Sequence, residues 1–462
     1  MLNTLREICE ITGGRLTFGD PDTVVRHVGY DSRQMLGDDL FVPTIGARVD
    51  GHDFIDKAMA AGAIATLSSR PGRVTELGAV ITVDDTQEAL EALGRHYRSL
   101  YRGRVIGITG SVGKTTTREL TKAALSAGGS VTGSTKNMNS EIGMPVVLCH
   151  MDQSADRAVI EMGVDAPDDM PRHVELAHPK TAVITNIGVA HIEYLGSREG
   201  IRNEKIRITS ELGPEDWAVL NGDEPLLREC EASLPCRRIL YFGLSPENDL
   251  YAKDIEKGDT VSFTAVLRQP EGEKEIPVKL SVPGVHNVMN ALAALGAAVA
   301  EGVDPEKAAA AMSQFTGFTR RLEKLKIGGL NVIDDSYNAS PPSMRAALEV
   351  LEKASGKRRI AVLADMLELG ETEAKQHREV GEYAAERKID LFITLGKLIR
   401  HLEEPLIKAG REVHHFDRWE EAEACVTELA ENGDVVLLKG SNIMNLDKLL
   451  AKLKTEEKFI NR

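Results

Sequence analysis

Residues Gly107 to Thr117 read GITGSVGKTTT, which places glycines, one lysine and a run of hydroxyls directly after an apolar stretch. In such a turn the backbone N–H groups converge on one point, and a helix starting there adds the positive end of its dipole. That combination binds phosphates. Gly110, Ser111 and Gly113 build the turn, and Lys114 neutralises β- and γ-phosphates. Thr115 offers its hydroxyl to Mg²⁺, with Thr116 beside it. The strict GxxxxGK[ST] pattern needs glycine at 108, where this chain has Ile108, so the spacing is a variant, GxTGSxGKT.

Two further residues bear on a metal. Glu161 closes RAVIEMG (157–163), and His191 follows in NIGVAHIEYLG (186–196). An acid and an imidazole at the ends of adjacent strands face the edge where open α/β sheets bind ligands. Mg²⁺ prefers oxygen, so a histidine marks a second metal position. The plainer readings are a strand-end salt bridge for Glu161 and a satisfied loop histidine for His191. Lys205, in REGIRNEKIRITSEL (198–212), lies on an expected helix; its residue type alone does not separate it from Lys122 or Lys324.

The elements that must position these groups fall into three blocks. Residues 1–98 mix short strands and helices: an amphipathic N-terminal helix ended by glycines, a strand at 78–85 and a helix at 86–101. Residues 99–315 alternate apolar strands (104–110, 157–163, 180–188, 216–224) with helices, then give a hairpin around PEGE at 260–284 and an alanine-rich helix at 286–302. Residues 316–462 repeat the alternation with strands at 331–337, 359–366, 390–396 and 434–441. The expected class is α/β with three domains: a smaller N-terminal α/β domain, a central phosphate-loop domain with a mostly parallel sheet, and a Rossmann-like C-terminal domain. GxGxxG is absent, so a dinucleotide site is not supported.

Composition narrows the partners. The 462 residues carry 56 Lys and Arg against 71 Asp and Glu, a net charge of −15, which repels a phosphodiester backbone and argues against nucleic acid. Five scattered cysteines without a CxxC pair fit a reducing compartment. The N-terminus does not read as a signal peptide, and no apolar run approaches the ~18 residues of a membrane span. A cytoplasmic protein without membrane insertion is expected, monomeric in state.

Taken together, TGSVGKTTT (109–117), KNMNSEIGMP (136–145), EMG (161–163), TNIGVAHIEYLGS (185–197), GVHNVMNALAA (284–294), DDSYNASPPSM (334–344), ADMLELG (364–370) and LLKGSNIM (437–444) resemble the Mur ligase family over essentially the whole chain. These are ATP-dependent amide-forming enzymes of peptidoglycan synthesis and cell-wall biogenesis. The resemblance is greatest to the type that adds D-alanyl-D-alanine to UDP-N-acetylmuramoyl-tripeptide, giving the pentapeptide, ADP and phosphate through an acyl phosphate.

The resemblance implies roles that residue types alone leave open. It makes Lys205 a lysine carbamylated by CO₂, which with Thr115, Glu161 and His191 holds Mg²⁺; Lys114 is the phosphate lysine. Asn287, beside His286, matches an adenine contact, and Arg321 an arginine that approaches ATP. Asp335 matches a ribose or phosphate contact, with Tyr337 and Asn338 near ATP or the dipeptide. In the first block Ser32, Arg33, Asp50, Gly51 and His52 become candidate contacts of the UDP-sugar carrier. Taken without the family, DGHDF is a helix-start turn with aspartate caps, and DDSYNASPP a helix start with proline in its first turn. Two departures stand out. Asn442 occupies a position where many relatives carry arginine, and Thr319–Arg320 replaces a pair such as Pro–Gly, leaving Arg320 or Arg321 open as the ATP contact.

Three other readings compete. A relative that adds a single amino acid would carry an aspartate–histidine–threonine–proline segment in place of DDSYNASPP. A phosphate-loop NTPase or kinase would need neither Lys205 nor His191 in this order. A non-catalytic nucleotide-sugar binder would not need Lys114, Glu161 and His191 intact.

Overall fold

The computed structural model describes residues 3–46, 49–70, 72, 77–135, 138–258 and 260–460. Lys136 and Asn137 of the KNMNSEIGMP segment therefore lie outside the described residues. Each of the three expected blocks is built on one main sheet, and the first adds a two-stranded ribbon of Asn3–Thr4 with Val24–Val25.

In the middle block, strand Arg104–Thr109 lies between Arg157–Glu161 and Thr181–Ile184, all parallel. Side chains alternate across this sheet as a strand's pleat requires. Ile106, Ile108, Val159 and Val183 pack on one face; Val105, Ala158, Ile160 and Ala182 pack on the other. Both faces are covered by helices, which is why these strands read as unbroken apolar runs. The register matters for function. Glu161 pairs with Ile108, and Ile184 with Thr109, so the phosphate loop, the Glu161 carboxylate and Thr185–Asn186 leave the sheet at one edge. The sheet has nine strands. The hairpin expected at 260–284 forms as Val261–Gln269 and Gly272–Leu280, joining antiparallel at its far edge.

The third block repeats the device. Leu330–Asp335, Val435–Lys439 and Arg359–Ala364 are parallel neighbours, with Asp335 opposite Lys439. Their C-terminal ends deliver residues 335–343, 439–443 and 365–369 to a common edge. Two strands escaped the sequence reading, Glu323–Ile327 and Val413–Phe416, at opposite edges of this six-stranded sheet, where side chains are only half-buried and the apolar signal is weak.

The first block holds a five-stranded sheet with Ala63–Ser68 at its centre. Its N-terminal helix, Leu5–Thr12, is closed by a Thr4–Glu7 capping box and ends at Gly13 in the left-handed conformation, as the glycines predict. Helix Thr86–Leu100 leads out of the block and spans the boundary expected at residue 98. Among the described residues no helix is long and apolar enough to cross a membrane.

Candidate active site between the second and third blocks

The two sheet edges face each other across a cavity of ≈ 1340 Å³. One wall is Ser111–Thr116 with Glu161, Asn186 and His191; the other includes Arg321, Asp335, Tyr337, Asn338, Glu368 and Lys439. Three helices begin at this cavity: Lys114–Ser126, Val285–Ala300 and Pro341–Lys353. Their dipoles favour anions there, against the sign of the whole molecule.

The phosphate loop is held from behind. Ser111 N–H donates to the Asn186 carbonyl at 3.1 Å, and Val112 N–H to Asn186 Oδ1 at 3.0 Å. Thr185 Oγ1 and Asn186 Nδ2 both donate to the Val112 carbonyl, at 2.7 and 2.8 Å. Gly110 and Gly113 have φ of +146° and +88°. A Cβ at Gly110 would lie 1.9 Å from Thr185 Oγ1, and one at Gly113 2.3 Å from Asn290 Oδ1. Neither position admits another residue without displacing the brace. Among the described residues no side chain caps the helix at Gly113, which leaves its first N–H groups for a ligand. Lys114 Nζ rests on the Gly110 carbonyl at 2.8 Å, and burial draws its ammonium below the ordinary lysine range.

Glu161 is almost fully buried, and each oxygen is engaged. Oε1 accepts from Thr115 Oγ1 at 3.1 Å and Asn139 Nδ2 at 2.8 Å; Oε2 accepts from Arg118 Nη1 at 2.9 Å. The salt bridge weighed for Glu161 thus exists, on one oxygen, while the other joins it to the phosphate-loop threonine. Arg118 and Asn139 were missed in sequence. Arg118 has a signal, since it shares helical spacing with buried Thr121 and Leu125.

Lys205, on helix Arg198–Ile206, is fully buried, and among the described residues its Nζ has no hydrogen-bond partner. Burial, then the charge of Lys114, pulls its pKa down to about 7. The chemistry of such an amine differs from that of Lys122, which pairs with Glu119.

His191 adopts φ +61° and Glu368, from the third block, φ +64°. For non-glycine residues such backbone costs roughly 1–2 kcal/mol each. His191 Nδ1 lies 3.0 Å from Glu368 Oε2, and Nε2 lies 3.4 Å from Asp165 Oδ1. The hydrogen bond from His191 holds the Glu368 carboxyl below its usual range.

On the opposite wall Arg320 and Arg321 take different directions. The Arg321 guanidinium stacks 4.2 Å over the Tyr337 ring and lines the cavity. Arg320 turns away: Nε donates to Ser336 Oγ at 3.0 Å, and Nη2 to the Ser336 carbonyl at 2.8 Å and Asn442 Oδ1 at 3.0 Å. The two departures noted in sequence, at 320 and 442, meet in space. Asp335 lines the cavity, but its oxygens already accept from Leu322 N–H and Lys439 Nζ. Lys439 also donates to the Asn338 carbonyl at 3.1 Å. A lysine closing a buried strand was the sequence signal for this residue, and it was not singled out. Asn338 Oδ1 accepts from Ala339 N–H at 2.8 Å, so the helix-start reading of DDSYNASPP describes its local geometry. Asn287 donates to the Pro283 carbonyl at 2.7 Å at the start of its helix, and His286 beside it is drawn down to about 4 by burial.

The first-block candidates lie outside this cavity. Asp50 caps the turn at Gly51–Phe54, accepting from His52 N–H at 2.9 Å and pairing with Arg70 at 2.5 Å. His52 is fully buried, with Nδ1 2.7 Å from Asp50 and Nε2 accepting from Ser69 N–H at 3.1 Å. Gly51 packs too closely on Thr44 for a side chain, a Cβ there meeting Thr44 N at 2.6 Å. Ser32 is buried, and Arg33 is exposed, paired with Asp31 at 2.8 Å. Among the described residues no group of three His, Cys, Asp or Glu side chains is placed to hold a metal by itself.

Comparisons with known proteins agree with this architecture. Three family models match: "Mur ligase family, catalytic domain" over 24–100, "Mur ligase middle domain" over 108–298, and "Mur ligase, glutamate ligase domain" over 320–442. The chain is 38% identical over 459 residues to the UDP-N-acetylmuramoyl-tripeptide–D-alanyl-D-alanine ligase of Bacillus subtilis, covering 97% of this chain and 98% of that one. It is 34% identical over 397 residues to the enzyme of the same name in Escherichia coli, covering 85% and 86%. Among solved structures, MurF from Acinetobacter baumannii superposes with a TM-score of 0.84 at 29% identity, covering 98% and 99%. MurF ligase from Thermotoga maritima in complex with ADP gives 0.75 at 29% identity, covering 94% and 98%.

Proposed function

The chain belongs to the Mur ligase family, and from that premise we propose that it joins D-alanyl-D-alanine to UDP-N-acetylmuramoyl-tripeptide at the expense of ATP. The reaction is the amide-forming step that completes the pentapeptide precursor of peptidoglycan. The observation that carries this reading is the cavity itself: a phosphate loop on one block faces the Asp335–Asn338 and Lys439–Asn442 segments of another across a space wide enough for several reactants.

The chemistry follows from what these walls can do. The tripeptide carboxylate takes the γ-phosphoryl group of ATP, releasing ADP and leaving an acyl phosphate. The dipeptide amine then attacks the acyl carbon, and the tetrahedral adduct expels phosphate as the amine loses its proton. No protein nucleophile is required. What is required is anion stabilisation and close positioning. The N–H groups of 113–116 and Lys114 receive the β- and γ-phosphates, and Arg321 brings a second cation to the developing phosphate charge. Its stack on Tyr337 fixes the guanidinium plane, while Lys439 holds the Asn338 loop in place.

The residues fit a magnesium site of composite character. Lys205 supports this reading: a buried amine without a hydrogen-bond partner among the described residues, with a pKa near neutrality, is a nucleophile for CO₂. Its neutral form adds to CO₂ and loses a proton, replacing a cation by a carbamate anion. With Thr115, Glu161 and His191, that carbamate would hold Mg²⁺, which would neutralise phosphate charge when bound. Ser32, Arg33, Asp50, Gly51 and His52 belong to the block that takes the UDP-sugar carrier; with Asp50 and His52 bonded to one another, their part is to shape that surface. Asn287 serves the adenine. The enzyme works as a cytoplasmic monomer, where its nucleotide substrates are and where its five unpaired cysteines persist.

A phosphate-release assay with UDP-linked tripeptide and ATP tests the reading. Release should require D-alanyl-D-alanine, and mass analysis should find the pentapeptide; release with a free amino acid, or without any acceptor, would overturn it.

A further inference from the structure

Glu368 belongs to the third block, yet its carboxylate reaches a ring nitrogen of His191 on the second. The loop carrying it is fixed on both sides. Met366 N–H donates to His377 Nε2 at 3.0 Å, Leu367 N–H to Ser441 Oγ at 3.0 Å, and Met366 and Leu369 are buried. Next to Glu368, Gly370 approaches the short helix Ile192–Leu195 so closely that a Cβ would lie 3.2 Å from Glu193 Cα. Val189 packs on the third block's core. The contact is therefore a built seat, and both residues that meet in it hold left-handed backbone.

The direction of the imidazole gives the contact its meaning. Nε2 faces Asp165, on the loop that follows the Glu161 strand, and Nδ1 faces Glu368. An ionised carboxylate only accepts hydrogen bonds, so the nitrogen 3.0 Å from Glu368 carries the proton. Asp165, at 3.4 Å and largely exposed, is the weaker partner. The Nε2 lone pair is then left on the Asp165 side, in the cavity that Asp165, Glu161 and the phosphate loop line together. Metal-binding histidines characteristically donate their other ring N–H to a carboxylate, which fixes the tautomer and raises ligand basicity.

We infer that Glu368 is a positioning residue for the metal site: it fixes His191 in the Nδ1–H tautomer, so that Nε2 is ready to ligate only while the third block is seated on the second. The inference rests on the metal reading of His191 given above. Occupancy of the metal site and seating of the third block are thereby linked through one hydrogen bond.

The test compares Glu368→Ala, Glu368→Gln and His191→Ala in the full chain. Mn²⁺ affinity in the presence of ADP is read by electron paramagnetic resonance, and ring ¹⁵N shifts of labelled histidine are read in the Mg²⁺–ADP complex, His191→Ala assigning the signal. Wild type should show Nδ1–H for His191. Glu368→Ala should lose that tautomer and weaken Mn²⁺ by roughly 10-fold. Glu368→Gln, whose amide oxygen still accepts from Nδ1–H, should keep both. An Nε2–H tautomer in wild type, or unchanged Mn²⁺ affinity in Glu368→Ala while His191→Ala weakens it, would overturn the role of Glu368. Unchanged affinity in His191→Ala would instead remove the metal reading on which it rests.

Discussion

Asp335 and Lys439 stand opposite each other on adjacent parallel strands, and their side chains close an ion pair in the cavity wall. Lys439 is buried and spends a further hydrogen bond on the Asn338 carbonyl. The pair therefore anchors the loop between strand Leu330–Asp335 and helix Pro341–Lys353. Removing one partner strands the other charge. Lys439→Met should destabilise the third block by about 3 kcal/mol and cut turnover, whereas Lys439→Met with Asp335→Asn should recover stability without recovering activity. Calorimetry paired with phosphate release separates the two effects.

The carbamate proposed at Lys205 predicts an activity that depends on CO₂ and pH. Only the neutral amine adds CO₂, so with a pKa of about 7 reactivation of CO₂-stripped enzyme by bicarbonate should strengthen as pH rises through 7 and fade below it. Linkage gives a second sign. The folded-state value lies below the ordinary 10.5, so between about 7 and 10.5 the unfolded chain binds the extra proton. The CO₂-free protein should therefore gain stability as pH rises across that window, and Lys205→Met should flatten the slope in a melting series. Lys205→Ala should be inactive with or without bicarbonate; full turnover would dismiss the carbamate.

Two substitutions test the phosphate loop by different routes. Lys114→Ala removes the cation and should lower kcat/KM by at least about 100-fold with an unchanged melting temperature. Gly110→Ala leaves the cation but drives a methyl into Thr185, so it should lose ATP binding and about 1–3 kcal/mol of stability together. Nucleotide titration calorimetry and thermal unfolding distinguish the patterns.

The adjacent arginines should behave oppositely. Arg321→Ala should raise the KM for ATP or lower kcat by roughly 10- to 100-fold, leaving the melting temperature in place. Arg320→Ala breaks the ties to Ser336 and Asn442 and should lower the melting temperature by a few degrees, with a smaller kinetic effect.

Most of the architecture was legible because it is written in short-range pattern. Apolar runs such as 104–109 and 435–439 are strands buried on both faces, and the loop 110–113 announces itself by glycines that no other residue can replace. What escaped was long-range. Nothing near Glu368 says that it meets His191, since the pairing arises only when two sheet edges face each other. Lys205 is a helix lysine like others until the fold buries it. Asp335 was read as a ligand contact from its position in a motif; its partner lies 104 residues away, so the geometry that occupies its oxygens left no trace in its own segment. Edge strands such as Val413–Phe416 were invisible for the opposite reason, having too little burial to impose a pattern.

Helix Gly143–His150 belongs to the second block by sequence, yet Val146 and Cys149 sit in the core of the first, and His150 Nε2 accepts from Val28 N–H at 3.0 Å. The first two blocks are thus fused by a common interior, while the third meets the second across a cavity and a small set of contacts around Val189, His191 and Glu193. For anyone recombining relatives, the fusion sets where a graft can succeed. A crossover near residue 100 would leave mismatched apolar surfaces on both pieces unless the inner face of helix 143–150 travelled with residues 1–100. A crossover near 316–323 would need to preserve little beyond Val189 and the meeting of Glu368 and Gly370 with His191 and Glu193. The block proposed to take the sugar carrier is thus tied to the phosphate-loop block by a shared core, and the third block is the more exchangeable part.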